Sequence, residues 1–148
     1  MLTRAFRNLA AVATLVVLAG CTGSAENTMA ETTSADLIGS TWLVEDIGGR
    51  GVIDNAQTTI AFDAEGGVAG SGGCNRYFGP VIIEGSAISF GDLGATRMAC
   101  VPALMDQEQK FLDAIAATRS YRPDDSGKKL VFLGEDGAML IRFSPLTP

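Results

Sequence analysis

The sequence predicts an α+β fold, in which a mainly antiparallel β-sheet curls toward a barrel and one main α-helix packs on it. Two observations carry this prediction. From Leu37 onward the apolar residues recur mostly with a period of two, which is typical of half-buried strands. Only residues 102–118 change to a helical period. A length of 148 residues with 47% hydrophobic content suits one globular domain with a sizeable core.

Six short segments have the apolar pattern of strands, and turn signals rich in glycine separate them. They are residues 41–47, 58–62, 81–83, 87–90, 130–133 and 139–143. The clearest turn is Gly134-Glu135-Asp136-Gly137, which lies between two apolar runs and predicts a β-hairpin.

The helical segment begins with Pro102, a residue suited to the first turn of a helix. Its apolar face is expected to contain Leu104, Phe111, Leu112 and Ile115.

The N-terminal residues have the pattern of an export signal. Arg4 and Arg7 precede an apolar run at residues 9–18, which is too short to span a bilayer of about 20 helical residues. The run ends in Leu18-Ala19-Gly20-Cys21, which resembles the lipobox of bacterial lipoproteins. That resemblance predicts a signal peptide at residues 1–20 and a lipidated, palmitate-bearing Cys21 as the mature N-terminus.

Residues 22–36 contain no aromatic side chain and one large apolar residue, Met29, so we expect residues 21–36 to be a lipidated cysteine followed by a flexible tether. The folded domain is then residues 37–148. Thr22 stands where inner-membrane lipoproteins of enteric bacteria carry aspartate. We therefore expect a lipid anchor in the outer membrane, facing the periplasm.

Composition excludes several functional classes. The chain contains no histidine, which removes histidine-based catalysis and histidine-ligated metal sites. Its net charge is −6, and loss of Arg4 and Arg7 with the signal leaves nine basic and seventeen acidic residues, a net charge of −8. No segment concentrates basic residues, so nucleic acid is not an expected partner. No cofactor and no metal ion are expected.

Cys74 and Cys100 remain once Cys21 is assigned to the lipid. In an oxidising envelope two such thiols normally join, and the closed loop would stabilise the fold by roughly 3.5 kcal/mol. A nucleophilic Cys74 would need a base other than histidine, and a phosphate-binding loop would need a helix after the glycines. Both alternatives are weaker than the disulfide. Gly70, Gly72 and Gly73 are expected to allow a sharp bend and close backbone approach.

The motifs GGCNRYFG at residues 72–79 and ATRMAC at residues 95–100 resemble those of the META domain family, and within it the HslJ-like bacterial lipoproteins. The resemblance extends from Leu37 to Phe143. It implies a cracked barrel with a helix, and an association with envelope stress rather than with a catalysed reaction. The residues that carry it, interpreted as a structural motif, are Gly72, Gly73, Asn75, Arg76, Tyr77, Thr96, Arg97, Met98 and Glu108.

Glu108 stands on the apolar stripe of the helix, where a carboxylate would point toward the sheet. A buried charge requires a partner. We expect Glu108 to bond to Arg97, to Arg76, or to the backbone amides beside Asn75, and so to lock the helix to the sheet.

We interpret the chain as a non-enzymatic envelope lipoprotein that binds an envelope protein or an apolar ligand, without assigned catalytic residues. An apolar groove lined by Trp42, Phe62, Phe90 or Phe132 would support ligand binding, although each is expected to be ordinary core. Two alternatives remain open: a purely structural envelope protein, and a hydrolase of cell-wall glycan that uses two carboxylates. The candidate pairs lie in predicted turns: Asp63 with Glu65, Asp124 with Asp125, and Glu135 with Asp136.

Overall fold

The computed structural model describes residues 37–146. The predicted signal peptide, the predicted lipidation site Cys21 and the predicted tether lie outside the described residues, so these three stay predictions. Across residues 37–146 a helix and ten strands form an α+β fold, as predicted. In chain order the strands before the helix are β1 (Thr41–Ile47), β2 (Arg50–Gly51), β3 (Thr59–Phe62), β4 (Gly67–Ser71), β5 (Arg76–Glu84), β6 (Ala87–Phe90) and β7 (Gly94–Ala95). The helix α1 (Pro102–Ala117) is followed by β8 (Ser120–Pro123), β9 (Leu130–Leu133) and β10 (Met139–Pro145).

All strand pairs are antiparallel, and eight strands form a ring. The ring runs β1-β3-β4-β5-β6-β8-β9-β10 and returns to β1, because β10 pairs with β1 from Trp42↔Pro145 to Ile47↔Ile141. The junction between β6 and β8 is the narrowest, with the single register pair Ala87↔Ser120. The short strands β2 and β7 extend the sheet from β1 and β5.

The core fills the interior of this ring. Inward side chains alternate along the strands, as at Ile60 and Phe62 of β3, which are both buried. The helix adds Phe111 and Ile115 to the same core, and the Phe111 ring lies edge-on to that of Tyr77, with centroids 5.6 Å apart. Helix and sheet therefore share one hydrophobic interior.

The predicted hairpin is present between β9 and β10. The amide of Gly134 donates to the carbonyl of Ala138 (2.9 Å), and the amide of Gly137 donates to that of Gly134 (3.1 Å). Gly137 has φ of 76°, a left-handed conformation that glycine adopts without strain. The glycine-rich sequence therefore predicted this turn correctly, because the turn contains a residue in the left-handed conformation.

Several strands differ from the sequence-based expectation. β2, β4, β7 and β8 were not predicted, and β5 extends over Arg76–Glu84, whereas the predicted segment covered residues 81–83. In β4 (GVAGS) the only large apolar residue is Val68, so the strand has almost no periodic signal. Its pairing with β3 and β5 on both sides, rather than local propensity, makes it a strand.

Candidate functional site

The glycine-rich stretch forms the tight connection between β4 and β5. The amide of Gly72 donates to the carbonyl of Asn75 (2.8 Å), which closes the turn, and Gly73 has φ of 111°. A Cβ atom on Gly72 would lie 2.6 Å from Cγ of Glu108, and one on Gly70 would collide with the carbonyl of Thr59. The predicted close backbone approach is therefore present at both glycines.

Glu108 reaches from the helix into this turn, and its buried carboxylate is held by three hydrogen bonds. Oε2 accepts from the backbone amides of Cys74 (3.1 Å) and Asn75 (2.5 Å), and Oε1 accepts from Nδ2 of Asn75 (2.7 Å). Of the expected partners, the backbone amides are thus correct, and Arg76 and Arg97 are wrong. Turn amides provide oriented donors without the cost of burying a guanidinium group. We call Cys74, Asn75 and Glu108 the carboxylate clamp.

Asn75 also joins the two sequence motifs. Its Oδ1 accepts from the amide of Met98 (2.7 Å) and from Oγ1 of Thr96 (3.0 Å). Thr96 and Arg76 then exchange two bonds, from the Thr96 amide to the Arg76 carbonyl (3.0 Å) and from the Arg76 amide to Thr96 Oγ1 (3.1 Å). The segment that precedes the helix is therefore fixed against the start of β5.

The disulfide between Cys74 and Cys100 completes this attachment and confirms the predicted pairing. The two Cα atoms are 6.0 Å apart, within the range that an ordinary disulfide spans. With its sulfur in this bond, Cys74 has no free thiolate for nucleophilic attack. Within residues 37–146 no group of three or more acidic or sulfur side chains is arranged to hold a metal ion.

Sequence reasoning missed two further polar residues beneath the turn. Gln107 is buried beside Glu108, and its Oε1 accepts from the amide of Ile53 (2.7 Å) while Nε2 donates to Oγ1 of Thr58 (3.3 Å). Oγ1 of Thr58 in turn donates to the carbonyl of Gly72 (3.3 Å). Gln107 could have been found from the sequence, because it is a second polar residue beside Glu108 on the helix face that packs on the sheet.

Tyr77, a motif residue, is also structural. Its hydroxyl donates to the carbonyl of Thr59 (2.8 Å), and burial raises the pKa of this phenol well above its usual range. Tyr77 therefore remains a neutral hydrogen-bond donor within the core.

The family model of the META domain matches residues 35–145. The chain belongs to the META domain family. Among the curated proteins no match is found for it.

Two solved structures resemble this META domain in fold. An NMR structure of a protein from Burkholderia xenovorans has a TM-score of 0.63 and 24% identity, and the match covers 76% of this chain and 85% of that one. A crystal structure of a DUF4847 family protein from Bacteroides vulgatus has a TM-score of 0.58 and 17% identity, with coverage of 74% and 94%. At these identities the likeness is one of fold alone.

The exposed residues of the META motifs form a different group from the buried ones. Phe78 and Met98 have 64% and 58% of their surface exposed, and Val101, which directly follows the second motif at the start of the helix, has 66%. Arg76 and Arg97 are exposed, and neither guanidinium group has a hydrogen-bond or ion-pair partner among residues 37–146. We call Arg76, Phe78, Arg97, Met98 and Val101 the motif face.

The aromatic residues proposed as groove lining lie elsewhere. Phe62 and Phe132 are buried in the core. Trp42 and Phe90 are partly buried and pack against that core, and the Trp42 indole donates to Oγ of Ser40 (2.7 Å). Phe62 and Phe132 are thus ordinary core residues, as expected, and Trp42 and Phe90 extend that core toward the surface.

The carboxylates proposed as catalytic pairs serve turns. Asp63 Oδ1 accepts from the amides of Glu65 (3.0 Å) and Gly67 (2.6 Å). Asp136 Oδ1 accepts from the amide of Ala138 (3.0 Å). Each contact is a local turn bond of the kind that aspartate commonly makes.

Asp124 has the same role in the connection from β8 to β9. Its Oδ1 accepts from Oγ of Ser126 (2.7 Å) and from the amides of Lys128 (3.2 Å) and Lys129 (3.1 Å). These bonds, that of Ser126 foremost, lower the pKa of Asp124.

No helix among residues 37–146 is both long and apolar enough to cross a membrane.

Proposed function

We propose that this META domain protein is a lipid-anchored accessory protein of the bacterial cell envelope, of the HslJ-like kind, which acts by binding a partner protein and not by catalysis. The observation that carries the proposal is the division of the motifs. Their buried residues hold the turn, the helix and the disulfide together, whereas the five residues of the motif face are presented to solvent on that support. Exposed apolar side chains grouped with cations are typical of interaction sites.

Two features support the envelope location. The Arg-flanked apolar run before Cys21 has the features of a lipoprotein signal. The disulfide between Cys74 and Cys100 suits an oxidising compartment. A lipidated Cys21 would supply the membrane attachment, and residues 22–36 would allow the domain to search for its partner near that surface.

Mass spectrometry of the membrane-extracted protein tests the anchor. We expect loss of residues 1–20 and an added diacylglyceryl group on Cys21. Cys21→Ser is the matched variant, and it should be neither lipidated nor cleaved at this site. A product that retains Met1, or one that is cleaved elsewhere, would contradict the anchor.

Crosslinking in the native envelope tests partner binding. A photoreactive amino acid replaces Met98 in the motif face or, as a control, the exposed Lys128 in the turn between β8 and β9. We expect a protein adduct from position 98 that is absent from position 128. Equal labelling at both positions, or no protein adduct, would favour a purely structural envelope protein. Recovery of lipid from the purified protein without a protein adduct would favour an apolar ligand.

A further inference from the structure

The chemistry of the motif face defines what it can recognise. We propose that this face binds an acidic amphipathic segment of a partner protein, in which carboxylates meet Arg76 and Arg97 and apolar side chains cover Phe78, Met98 and Val101. This inference rests on the proposed function, since it specifies the partner of the same surface.

Two residues of the motif face, Arg76 and Phe78, lie on the outer face of the sheet. Arg76 and Phe78 are two positions apart on β5, so both side chains leave the same outer face. The Phe78 ring lies over β7, where a Cβ atom on Gly94 would be 3.3 Å from it. Because Gly94 has no side chain, one side of the phenyl ring can pack against the backbone of β7. Most of Phe78 remains exposed, which suits an anchoring contact with a partner.

The charge of the motif face differs from that of the remaining domain. Residues 37–146 contain nine basic and fourteen acidic residues, so the domain is acidic. Of the seven other cations, four have carboxylate partners (Lys110, Arg122, Lys129 and Arg142), whereas Arg50, Arg119 and Lys128 have none within residues 37–146. Arg76 and Arg97 have none within that range, and a guanidinium group is suited to bidentate bonding with a carboxylate. The complementary partner therefore carries negative charge at this point.

The backbone beneath the motif face is already fixed. Asn75 holds Met98 through its amide, Thr96 is bonded to Arg76, and the disulfide holds Cys100. A surface whose backbone is held in this way loses little conformational entropy when it binds. The clamp and the disulfide thus serve recognition as well as stability.

The small number of cations favours a protein segment over an anionic membrane. Recognition of anionic lipid surfaces typically uses a cluster of roughly four to eight basic side chains. The motif face has only Arg76 and Arg97, in a domain with more acidic than basic residues. Two guanidinium groups suit individual carboxylates of a protein segment, to which each can bond in a bidentate manner.

Binding of defined probes to the full-length protein tests the proposal. The protein is reconstituted in phosphatidylcholine nanodiscs, and fluorescence anisotropy measures its affinity for a short labelled peptide in which Glu and Leu alternate. A peptide with Lys in place of Glu is the charge control, and vesicles of phosphatidylglycerol are the lipid probe. We expect binding of the Glu peptide, and no binding of the Lys peptide or of the vesicles.

Matched variants locate the contact. Reversal of both charges, Arg76→Glu with Arg97→Glu, should weaken binding of the Glu peptide about tenfold or more, and Phe78→Ser should weaken it about tenfold. Ile82→Ser changes an apolar residue of nearly the same exposure (63%) on the same face of β5, and Lys128→Glu reverses a cation in a distant turn. Both controls should stay within about twofold of the parent. All of these residues are on the surface, so unfolding curves should match.

Three outcomes would overturn the inference: equal binding of the two peptides, equal weakening by Phe78→Ser and Ile82→Ser, or vesicle binding that the charge reversal removes. The crosslinking experiment separates this failure from that of the proposed function. If a protein still crosslinks at position 98 in the native envelope while charge reversal has no effect, a partner exists and the assigned chemistry is wrong. Absence of any envelope partner would instead contradict the proposed function itself.

Discussion

At the scale of single residues, Glu108 is the centre of the molecule's polar interior. Its carboxylate ties the helix to the β4–β5 turn through the amides of Cys74 and Asn75 and the side chain of Asn75. A buried acidic residue in a glycine-rich setting could suggest catalysis. The hydrogen bonds show instead that its oxygens are occupied by main-chain and amide donors, so Glu108 acts as a structural acceptor.

Glu108→Ala removes the acceptor for these three donors. We expect the free energy of unfolding to fall by about 2–4 kcal/mol, because buried amide groups would lose their only partner in the clamp. Urea denaturation measures the change. Asp113→Ala, which removes a carboxylate elsewhere on the same helix, is the control and should shift stability by less than about 0.5 kcal/mol. Equal stability of the two variants would mean that the clamp contributes nothing.

At the scale of elements, the disulfide fixes the segment before α1 to the start of β5. It joins residues 26 positions apart. Reduction should lower the free energy of unfolding by roughly 3.5 kcal/mol, because the unfolded chain regains the freedom of that loop. Urea denaturation with and without reductant measures it. The Cys74→Ser/Cys100→Ser double variant should not respond to reductant. Alkylation of both thiols in the denatured, unreduced protein would contradict the disulfide.

The hairpin from β8 to β9 should depend on pH through Asp124. Its pKa is lower in the folded state than in the unfolded chain, so its contribution to stability is present above the unfolded pKa, about 3.9, and is lost as the pH falls through the folded pKa. Asp124→Asn should therefore destabilise the protein at pH 7, and the difference from the parent should shrink below about pH 4. Urea midpoints across this range measure it.

Asp125→Asn is the matched control for this dependence. Asp125 is exposed and lies 3.7 Å from Arg122, a separation at which a surface ion pair contributes little. A constant difference between Asp124→Asn and the parent across the pH range would show that the carboxylate charge has no role in the turn.

At the scale of the whole molecule, neighbouring strands of the ring pair over very different lengths. β1 and β10 pair over most of their length, whereas β6 and β8 share one register pair. Two backbone hydrogen bonds flank the β6–β8 register pair. The Ile88 amide donates to the Arg119 carbonyl (3.1 Å), and the Tyr121 amide donates to the Ser86 carbonyl (2.9 Å). The β6–β8 junction is thus the place where the ring opens most readily.

Native-state hydrogen exchange should reveal this opening. We expect the amides of Ile88 and Tyr121 to exchange faster than the amides that bridge β1 and β10, because fewer interactions must break to expose them. The β1–β10 amides serve as the internal reference. Exchange of both sets at the rate of global unfolding would show that the ring opens only as a unit.

The elements with a strong local signal could be predicted from the amino-acid sequence. The helix was expected at residues 102–118 and extends over Pro102–Ala117, and β1, β6 and β9 have the predicted bounds. The disulfide followed from the number of cysteines, once Cys21 was assigned to the predicted lipid anchor. In each case the deciding information is local or compositional: apolar period, turn residues, and cysteine count.

The strand β4, the closure of the ring and the partner of Glu108 depend on contacts between segments that are distant in the sequence. β4 is a strand because two neighbours satisfy its backbone, and a segment such as GVAGS carries no side-chain pattern that would announce this. The arginines were the visible cations, but Glu108 bonds to amides of the turn. Backbone donors are present at almost every residue, so a sequence cannot show which of them converge until the chain is folded.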